Sequence, residues 1–405
     1  MRQLDLKEHV PSESYSLSSA EHDALRLVLP SLTIERIIGA EDTYTLTPGS
    51  WVGAVEVGDL SVLIRPKLGI PELLSLACYA TDRLERGQQG QFNYLKDEAL
   101  PDALALALVA AARRTFARGL LHGYRTEEET LYTVRGRIRF DDQVRRRFGI
   151  PLPVEVRYDE FTEDIPANRL VKAAVIRLGR MRLRSTDARR GLGWVAAMLE
   201  NVSYEEFPSG DVPEVTFNRL NEHYRGVVTL ARLILRRGAF EAYRGQVRAS
   251  GFLMDMNQVF QEFVTVALRE ALGVTERTFG EYGIPSLDEA GRIHLRPDLV
   301  WREGSSVVFV GDAKYKRIGD ERIPNADLYQ LLAYTTALDL PGGLLVYAKG
   351  EADAATYTVR HSGKRLEVAA LDLTGTLEQV LERVRELAVK VRALRGEARQ
   401  VRPAA

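Results

Sequence analysis

The sequence predicts an α+β protein of several domains: a β-rich segment over residues 1–69, a mixed segment of helices and β-hairpins over 70–245, and an α/β segment over 246–405. Three observations carry this. The chain has 405 residues, enough for two or three domains, and its 45% hydrophobic and 27% charged content is that of an ordinary globular protein. Period-two alternation is concentrated near the N-terminus and again over 124–160, whereas 70–120 and 166–238 read as helical. From about residue 252 the order becomes helix, strand, strand, helix, strand, the rhythm of an α/β unit.

Element by element, Thr43-Tyr44-Thr45-Leu46 and Leu60-Ser61-Val62-Leu63-Ile64 read as strands between the turn signals Pro48-Gly49 and Gly58-Asp59, with a helix at about 19–28 interrupting a small sheet or barrel. Pro71-Glu72 opens a helix that runs to about Asp82, and Asp102 lies just inside a second, Ala-rich helix ending near Arg118. That second helix is apolar nearly all round, which predicts burial. Thr130–Val134 and Gly136–Phe140 alternate at period two, and Pro151–Tyr158 is a third strand candidate. Two or three helices follow to about 238, broken near Pro208-Ser209-Gly210. A helix over Asp255–Ala271, one over Ala326–Leu338, a strand at Gly343–Tyr347 and an amphipathic helix over Thr376–Arg395 complete the chain.

Composition excludes several classes. Lys and Arg total 55 against 56 acids, a formal charge of −1, so a stand-alone non-specific DNA binder is not expected. Any nucleic-acid contact must use a local patch or a partner. Cys78 is the only cysteine, and the six histidines (9, 22, 122, 223, 294 and 361) never fall at ligand spacing. No basic segment precedes an apolar stretch at the N-terminus, and no stretch is long enough for a bilayer, so a cytoplasmic protein without a membrane is expected. No GxxxxGK[ST] occurs, so the chain itself binds no nucleotide.

The most informative stretch is Arg296-Pro297-Asp298-Leu299-Val300, then ten residues, then Gly311-Asp312-Ala313-Lys314-Tyr315. Val307–Val310 reads as a buried central strand, and residues i and i+2 of a strand share a face, so Asp312 and Lys314 point the same way. A hairpin of this length brings Asp298 beside Asp312. Two converging carboxylates repel each other and are costly to desolvate, and a divalent cation relieves both problems. Mg²⁺ takes one or two carboxylates and completes its shell with water and phosphate oxygens. The Ala313 carbonyl would face the same site, and Lys314 would position the attacking water, as metal-assisted phosphodiester hydrolysis requires. A bare D-x-K triplet also occurs as a structural ion pair and Pro-Asp as a turn; their combination across an apolar strand is what points to a metal. The following helix, N-capped by Asn325, carries Gln330 and Tyr334 on one face, able to hold a phosphate or Lys314. The preceding helix carries Glu262, a third, outer acid or a solvated residue.

Together, Pro297-Asp298, the Asp312-x-Lys314 triplet and Gln330-x-x-x-Tyr334 resemble the PD-(D/E)xK nuclease superfamily in its variant with a Gln/Tyr helix. The sequence is more closely similar to the McrC family, nuclease subunits of McrBC-type modification-dependent restriction systems. Gly136-Arg137-Ile138-Arg139-Phe140, Tyr158–Asp164 followed by Ala167-Asn168-Arg169-Leu170, Leu328-Tyr329-Gln330-Leu331 and Gly342–Tyr347 resemble family segments, in order, across about 70–375. The resemblance implies a PD-(D/E)xK endonuclease domain over 246–405. It implies that 70–245 docks into the pore of a McrB-type AAA+ GTPase hexamer and stimulates it. Recognition of 5-methylcytosine-type modification and translocation along double-stranded DNA would belong to that partner. Residues 1–69 lie outside the matched part, as an added ring contact or a small DNA-binding module.

The resulting expectation is a Mg²⁺-dependent DNA endonuclease subunit with Asp298, Asp312 and Ala313 at the metal, Lys314 at the water, and Glu262, Gln330 and Tyr334 accessory. The arginines at 135, 137, 139, 145, 146 and 147 would contact the ring or DNA, or simply solvate a hairpin. Asp159, Glu160, Glu163 and Asp164 form an acidic cluster beside Asn168 and Arg169, read as loop-fixing rather than a second metal site. Two alternatives stay open: a RecB-like exonuclease or repair nuclease acting without a ring, and a regulatory subunit that activates the ring without cutting.

Overall fold

The computed structural model describes residues 2–401 except 30, 83–91, 93–94, 97, 238, 245–246, 316–323 and 349–353. It divides into two compact units, residues 1–103 with 237–405, and residues 104–236. The chain opens with β1 (Arg2–Lys7), β2 (Ser14–Ser16), α1 (Ser19–Val28), β3 (Thr33–Arg36), β4 (Thr43–Thr47), β5 (Trp51–Val57), β6 (Leu60–Arg65), α2 (Ile70–Asp82) and α3 (Leu100–Phe116). A capping box starts α1: the Ser18 hydroxyl accepts from the Glu21 amide at 3.3 Å, and the Glu21 carboxylate accepts from the Ser18 amide at 2.8 Å. These bonds satisfy donors that helix geometry leaves unpaired. β2, β4 and β3 form a small antiparallel sheet.

The second unit contains β7 (Gly123–Leu131), β8 (Arg137–Ile138), α4 (Phe140–Arg147), β9 (Val154–Thr162), α5 (Pro166–Gly179), α6 (Thr186–Met198) and α7 (Arg225–Arg236). β7 and β9 pair antiparallel along their whole length, from Gly123 opposite Thr162 to Leu131 opposite Val154. The strand expected over Gly136–Phe140 is only Arg137–Ile138, and a helix follows it. Gly136 adopts φ +72°, and a Cβ there would stand 2.5 Å from the Arg157 carbonyl oxygen, so the backbone turns tightly against β9. Acids at Asp141 and Asp142 and bases at Arg145, Arg146 and Arg147 suit the two ends of α4. Buried Gln143 fastens α4 to β9, accepting from the Glu155 amide at 2.7 Å and donating to the Ile150 and Pro153 carbonyls at 2.6 and 3.0 Å.

The first unit resumes with β10 (Ala239–Arg244), β11 (Val247–Asp255), α8 (Met256–Leu272), β12 (Phe279–Gly280), β13 (Leu299–Glu303), β14 (Ser306–Lys314), α9 (Asn325–Ala337), β15 (Gly342–Ala348), β16 (Ala355–Thr358), β17 (Arg365–Leu371) and α10 (Leu377–Val401). β11 pairs antiparallel with β5, placing Ala249 opposite Val57 and Asp255 opposite Trp51. The resulting sheet has the order β1-β6-β5-β11-β10. This shared sheet is why the compact units differ from breaks at 69 and 245: strands from both ends of the chain complete one another's hydrogen bonding. A six-stranded mixed sheet, ordered β12-β13-β14-β15-β17-β16, occupies the C-terminal part. β14 lies inside it, antiparallel to β13 and parallel to β15. Val310 shares a buried cluster with Leu331 and Tyr334 of α9, with Leu338 just after it, and with Leu345 and Tyr347 of β15. Burying each such side chain contributes roughly 1.5–3 kcal/mol. Tyr315 meets Phe260 of α8, their ring centroids 5.8 Å apart. Among the described residues no helix is long and apolar enough to cross a membrane.

Candidate active site

The site grows from the β13–β14 hairpin. Leu299 stands opposite Gly311, so Asp298, immediately before β13, reaches Asp312 where the hairpin opens. On the other side Gly311 lets β15 come close, since a Cβ there would meet the Leu344 carbonyl oxygen at 2.7 Å. The Asp298 amide donates to Asp312 Oδ1 at 3.1 Å, and the Ala313 amide donates to Asp298 Oδ2 at 3.0 Å. Lys314 forms an ion pair with Asp312 Oδ2. That oxygen is buried and, this ion pair apart, has no donor among the described residues. Asp312 itself is 1% exposed.

The electrostatics follow from this crowding. Burial, followed by the Asp312 charge, pushes the Asp298 carboxyl up to about 7, opposed by the Ala313 amide and Lys314. Burial disfavours the Lys314 ammonium, but Asp312, Asp298 and Asp327 more than offset it, and the lysine is held charged.

The accessory residues fall out differently. Tyr334 is buried, and its hydroxyl donates to the Arg296 carbonyl at 3.1 Å, bracing the turn that delivers Asp298. Burial and the two aspartates push its phenol upward, while Gln330, one turn earlier and half-buried, acts in the opposite direction. Glu262 is ion-paired with Arg237. The residue of α8 that reaches the site is Gln261, whose Nε2 donates to Asp298 Oδ1 at 2.6 Å. Adjacent helix residues differ by about 100° in direction, so the sequence alone does not separate Gln261 from Glu262. A second unforeseen group is Asp327, buried in the first turn of α9 and accepting from the Tyr347 hydroxyl. The cap expected at Asn325 is not found: Asn325 is the first residue of α9, and Pro324, whose ring has no acceptor, holds the cap position. Among the described residues no third His, Cys, Asp or Glu joins Asp298 and Asp312 in a metal-ligating cluster.

In the second unit the six arginines are not equivalent. Arg135 packs over the Tyr158 ring at 3.9 Å and pairs with Glu160 at 3.5 Å. Arg139 pairs with Glu128 at 3.0 Å and with Asp142, and Arg146 and Arg147 reach Glu155 at 3.7 and 3.2 Å. Arg137 and Arg145 are exposed and carry no salt bridge among the described residues. A groove of about 1000 Å³ runs along this face, lined by Arg137, Arg139, Phe140, Arg157 and Asp159 among others. Tyr132, Phe140, Val144 and Phe148 are exposed beside it. The acidic cluster fixes its loop: Asp164 accepts from Arg169 and from the Ser203 amide and hydroxyl, while Asn168 donates to the Leu121 and Glu163 carbonyls. Cys78 is buried, and burial pushes its thiol upward, as befits a core residue.

Fold and site together define a mixed α/β protein with two carboxylates and a lysine at the opening of an internal hairpin. A family model described as McrBC 5-methylcytosine restriction system component matches residues 46–348, well over half of the chain. The chain belongs to that family. It is 24% identical over 314 residues to the type IV methyl-directed restriction enzyme EcoKMcrBC of Escherichia coli (strain K12), covering 70% of this chain and 86% of that protein. Its fold is similar to that of a chain in the refined half-complex of Thermococcus gammatolerans McrB AAA+ hexamers with bound McrC. That match has a TM-score of 0.58 and 18% identity, covering 96% of this chain and 100% of the other. A chain in the cryo-EM structure of the Thermococcus gammatolerans McrBC complex matches with a TM-score of 0.44 and 21% identity, over 67% of this chain and 88% of that one.

Proposed function

We propose that the chain is the Mg²⁺-dependent DNA endonuclease subunit of a modification-dependent restriction complex, with a PD-(D/E)xK site at Asp298, Asp312 and Lys314. The observation that carries this reading is the convergence of two carboxylates and an ammonium at one hairpin opening. The donors fit a hard dication: carboxylate oxygens of Asp298 and Asp312 with the Ala313 carbonyl would hold it, and buried Asp312 Oδ2 lacks any partner but the lysine among the described residues. When bound, the ion supplies Lewis-acid polarisation of the phosphodiester and acidifies a water.

The chain's own residues do the rest. Lys314 orients the attacking water and offsets charge developing on the phosphate. Gln261 fixes the Asp298 carboxylate. Tyr334 braces the Arg296–Asp298 turn, and half-buried Gln330 beside it would meet a DNA phosphate. Glu262 serves at the periphery through Arg237.

The partner is a McrB-like AAA+ GTPase ring. In the Thermococcus gammatolerans assembly McrC is bound to McrB hexamers, and the groove and exposed apolar residues around 135–148 offer the docking face here. A formal charge of −1 leaves most of the DNA affinity to the ring. The test is cleavage of methylated and unmethylated plasmid with Mg²⁺, with and without the AAA+ partner and GTP. Cutting that needs the partner, GTP and methylation is expected. Cutting by the chain alone would mark an independent nuclease, and stimulated GTP hydrolysis without cutting in any mixture would mark a regulatory subunit.

A further inference from the structure

We propose that Asp327 is a positioning residue for Lys314, acting through Tyr347 to keep the ammonium in place when a divalent cation takes up the Asp312 carboxylate. The inference rests on the nuclease reading above. Three observations lead to it. Asp327 is 4% exposed, in the first turn of α9, with its amide on the Pro324 carbonyl at 3.0 Å. Its carboxylate accepts from the Tyr347 hydroxyl. Tyr347 is fully buried in β15 and pairs in register with Lys314 of β14. The carboxylate is therefore tied to the neighbour of the lysine.

A buried carboxylate is costly unless it is hydrogen-bonded or set near positive charge. Among the described residues, Asp298, Asp312 and Asp327 set three formal negative charges near that of Lys314. Removing the Asp327 charge would leave Lys314 less shielded from the dication in surroundings of low polarity. Asp312 is the partner of Lys314 in the structure described here. Once its oxygens serve a metal, Asp327 is a second anion, tied to the Tyr347 that pairs in register with the lysine.

The experiment is a double-mutant cycle on the full chain with Asp327→Asn, Lys314→Gln and their combination, and with Tyr347→Phe as a second route to the same contact. For the chain alone, the melting temperatures are expected to be non-additive: the double variant loses less than the two single losses combined. Mg²⁺ affinity, read by calorimetry, is expected to change less than about threefold in Asp327→Asn. In the complex with the ring, Asp327→Asn and Tyr347→Phe are each expected to slow cleavage about 10–100-fold. Asp327→Asn added to Lys314→Gln is expected to slow it no further.

Additive melting losses, undiminished cleavage, or a loss of Mg²⁺ affinity as large as that of Asp312→Asn would overturn the assignment. The last of these would make Asp327 a metal ligand. If Asp327→Asn does not fold, Tyr347→Phe, which keeps the carboxylate and deletes only its donor, runs the same cycle against Lys314→Gln. If the wild-type complex cuts nothing, the nuclease reading fails, while the melting cycle still decides whether Asp327 and Lys314 are coupled.

Discussion

At Asp298 the carboxyl is raised to about 7, first by burial and then by the Asp312 charge. A dication needs the carboxylate, so binding must displace the proton wherever the pH lies below that value. Mg²⁺ affinity is therefore expected to fall about tenfold for each pH unit below 7 and to level off above it, as calorimetric titrations at pH 6 and pH 8 would read. The sign for stability is the reverse of the usual carboxylate case. Between the ordinary carboxylate range and about 7 the folded chain holds a proton that the unfolded chain releases, so stability declines as pH rises through this window. Asp298→Asn is expected to raise the melting temperature of the metal-free chain at pH 8, by about 2–4 °C for each kcal/mol of repulsion relieved, and to leave it unchanged near pH 4. The arginines separate by the same residue-level logic. Arg137→Ala, which breaks no internal ion pair, is expected to lower stimulation of the ring's GTP hydrolysis about 10- to 30-fold without changing the melting temperature. Arg147→Ala, which removes the nearer of the two arginines on buried Glu155, is expected to lower the melting temperature. The placement of Asp312 beside Lys314 was legible in the sequence because strand periodicity sets which side chains share a face, and that of Asp298 because the hairpin length brings it to Asp312. Gln261 and Asp327 were not, because the rotation of a helix about its axis is decided by what it packs against.

Among the elements, the hairpin β13–β14 and helix α9 follow from local pattern: an apolar β-branched run, a short gap and helical spacing of Leu331, Leu338 and Tyr334. Helix α4 was hidden for the opposite reason. Its sequence, Phe140–Arg147, has one apolar residue beyond Phe140 and follows a stretch of period-two alternation, so nothing local announces a helix. It is held instead by Gln143 and by the left-handed turn at Gly136. Gly136→Ala is expected to cost about 1–3 kcal/mol, because the new Cβ meets both an unfavourable φ and the Arg157 carbonyl. Chemical denaturation checks this, and the same variant is expected to weaken docking on the ring, since the arginine-bearing segment begins there. The hairpin β10–β11 and strands β16 and β17 were not read from the sequence: β11 owes its place to pairing with distant β5, and β16 has only four residues to carry a period.

For the whole molecule, the consequential feature is that the first unit is discontinuous. Residues 1–69 carry β1, β5 and β6, three of the five strands in the sheet that β11 and β10 complete. A chain lacking residues 1–69 is therefore expected to lose its cooperative melt and to aggregate through the bared edge of β11. A soluble, cooperatively melting fragment would identify the segment as a separable module. No local signal in the sequence announces this arrangement, since 1–69 reads as a self-contained β segment and its register with β11 is set only by tertiary pairing. The same architecture places the proposed chemistry in the first unit and the proposed docking face in the second, so the two activities should part under mutation. The most direct measurement is plasmid cleavage and GTP hydrolysis followed in one mixture of AAA+ partner, GTP, Mg²⁺ and either the wild-type chain or Asp312→Ala. The expected result is a loss of cutting of at least about 100-fold with stimulation of GTP hydrolysis preserved. Cutting that persists in Asp312→Ala would contradict the assignment of the nuclease site to the β13–β14 hairpin.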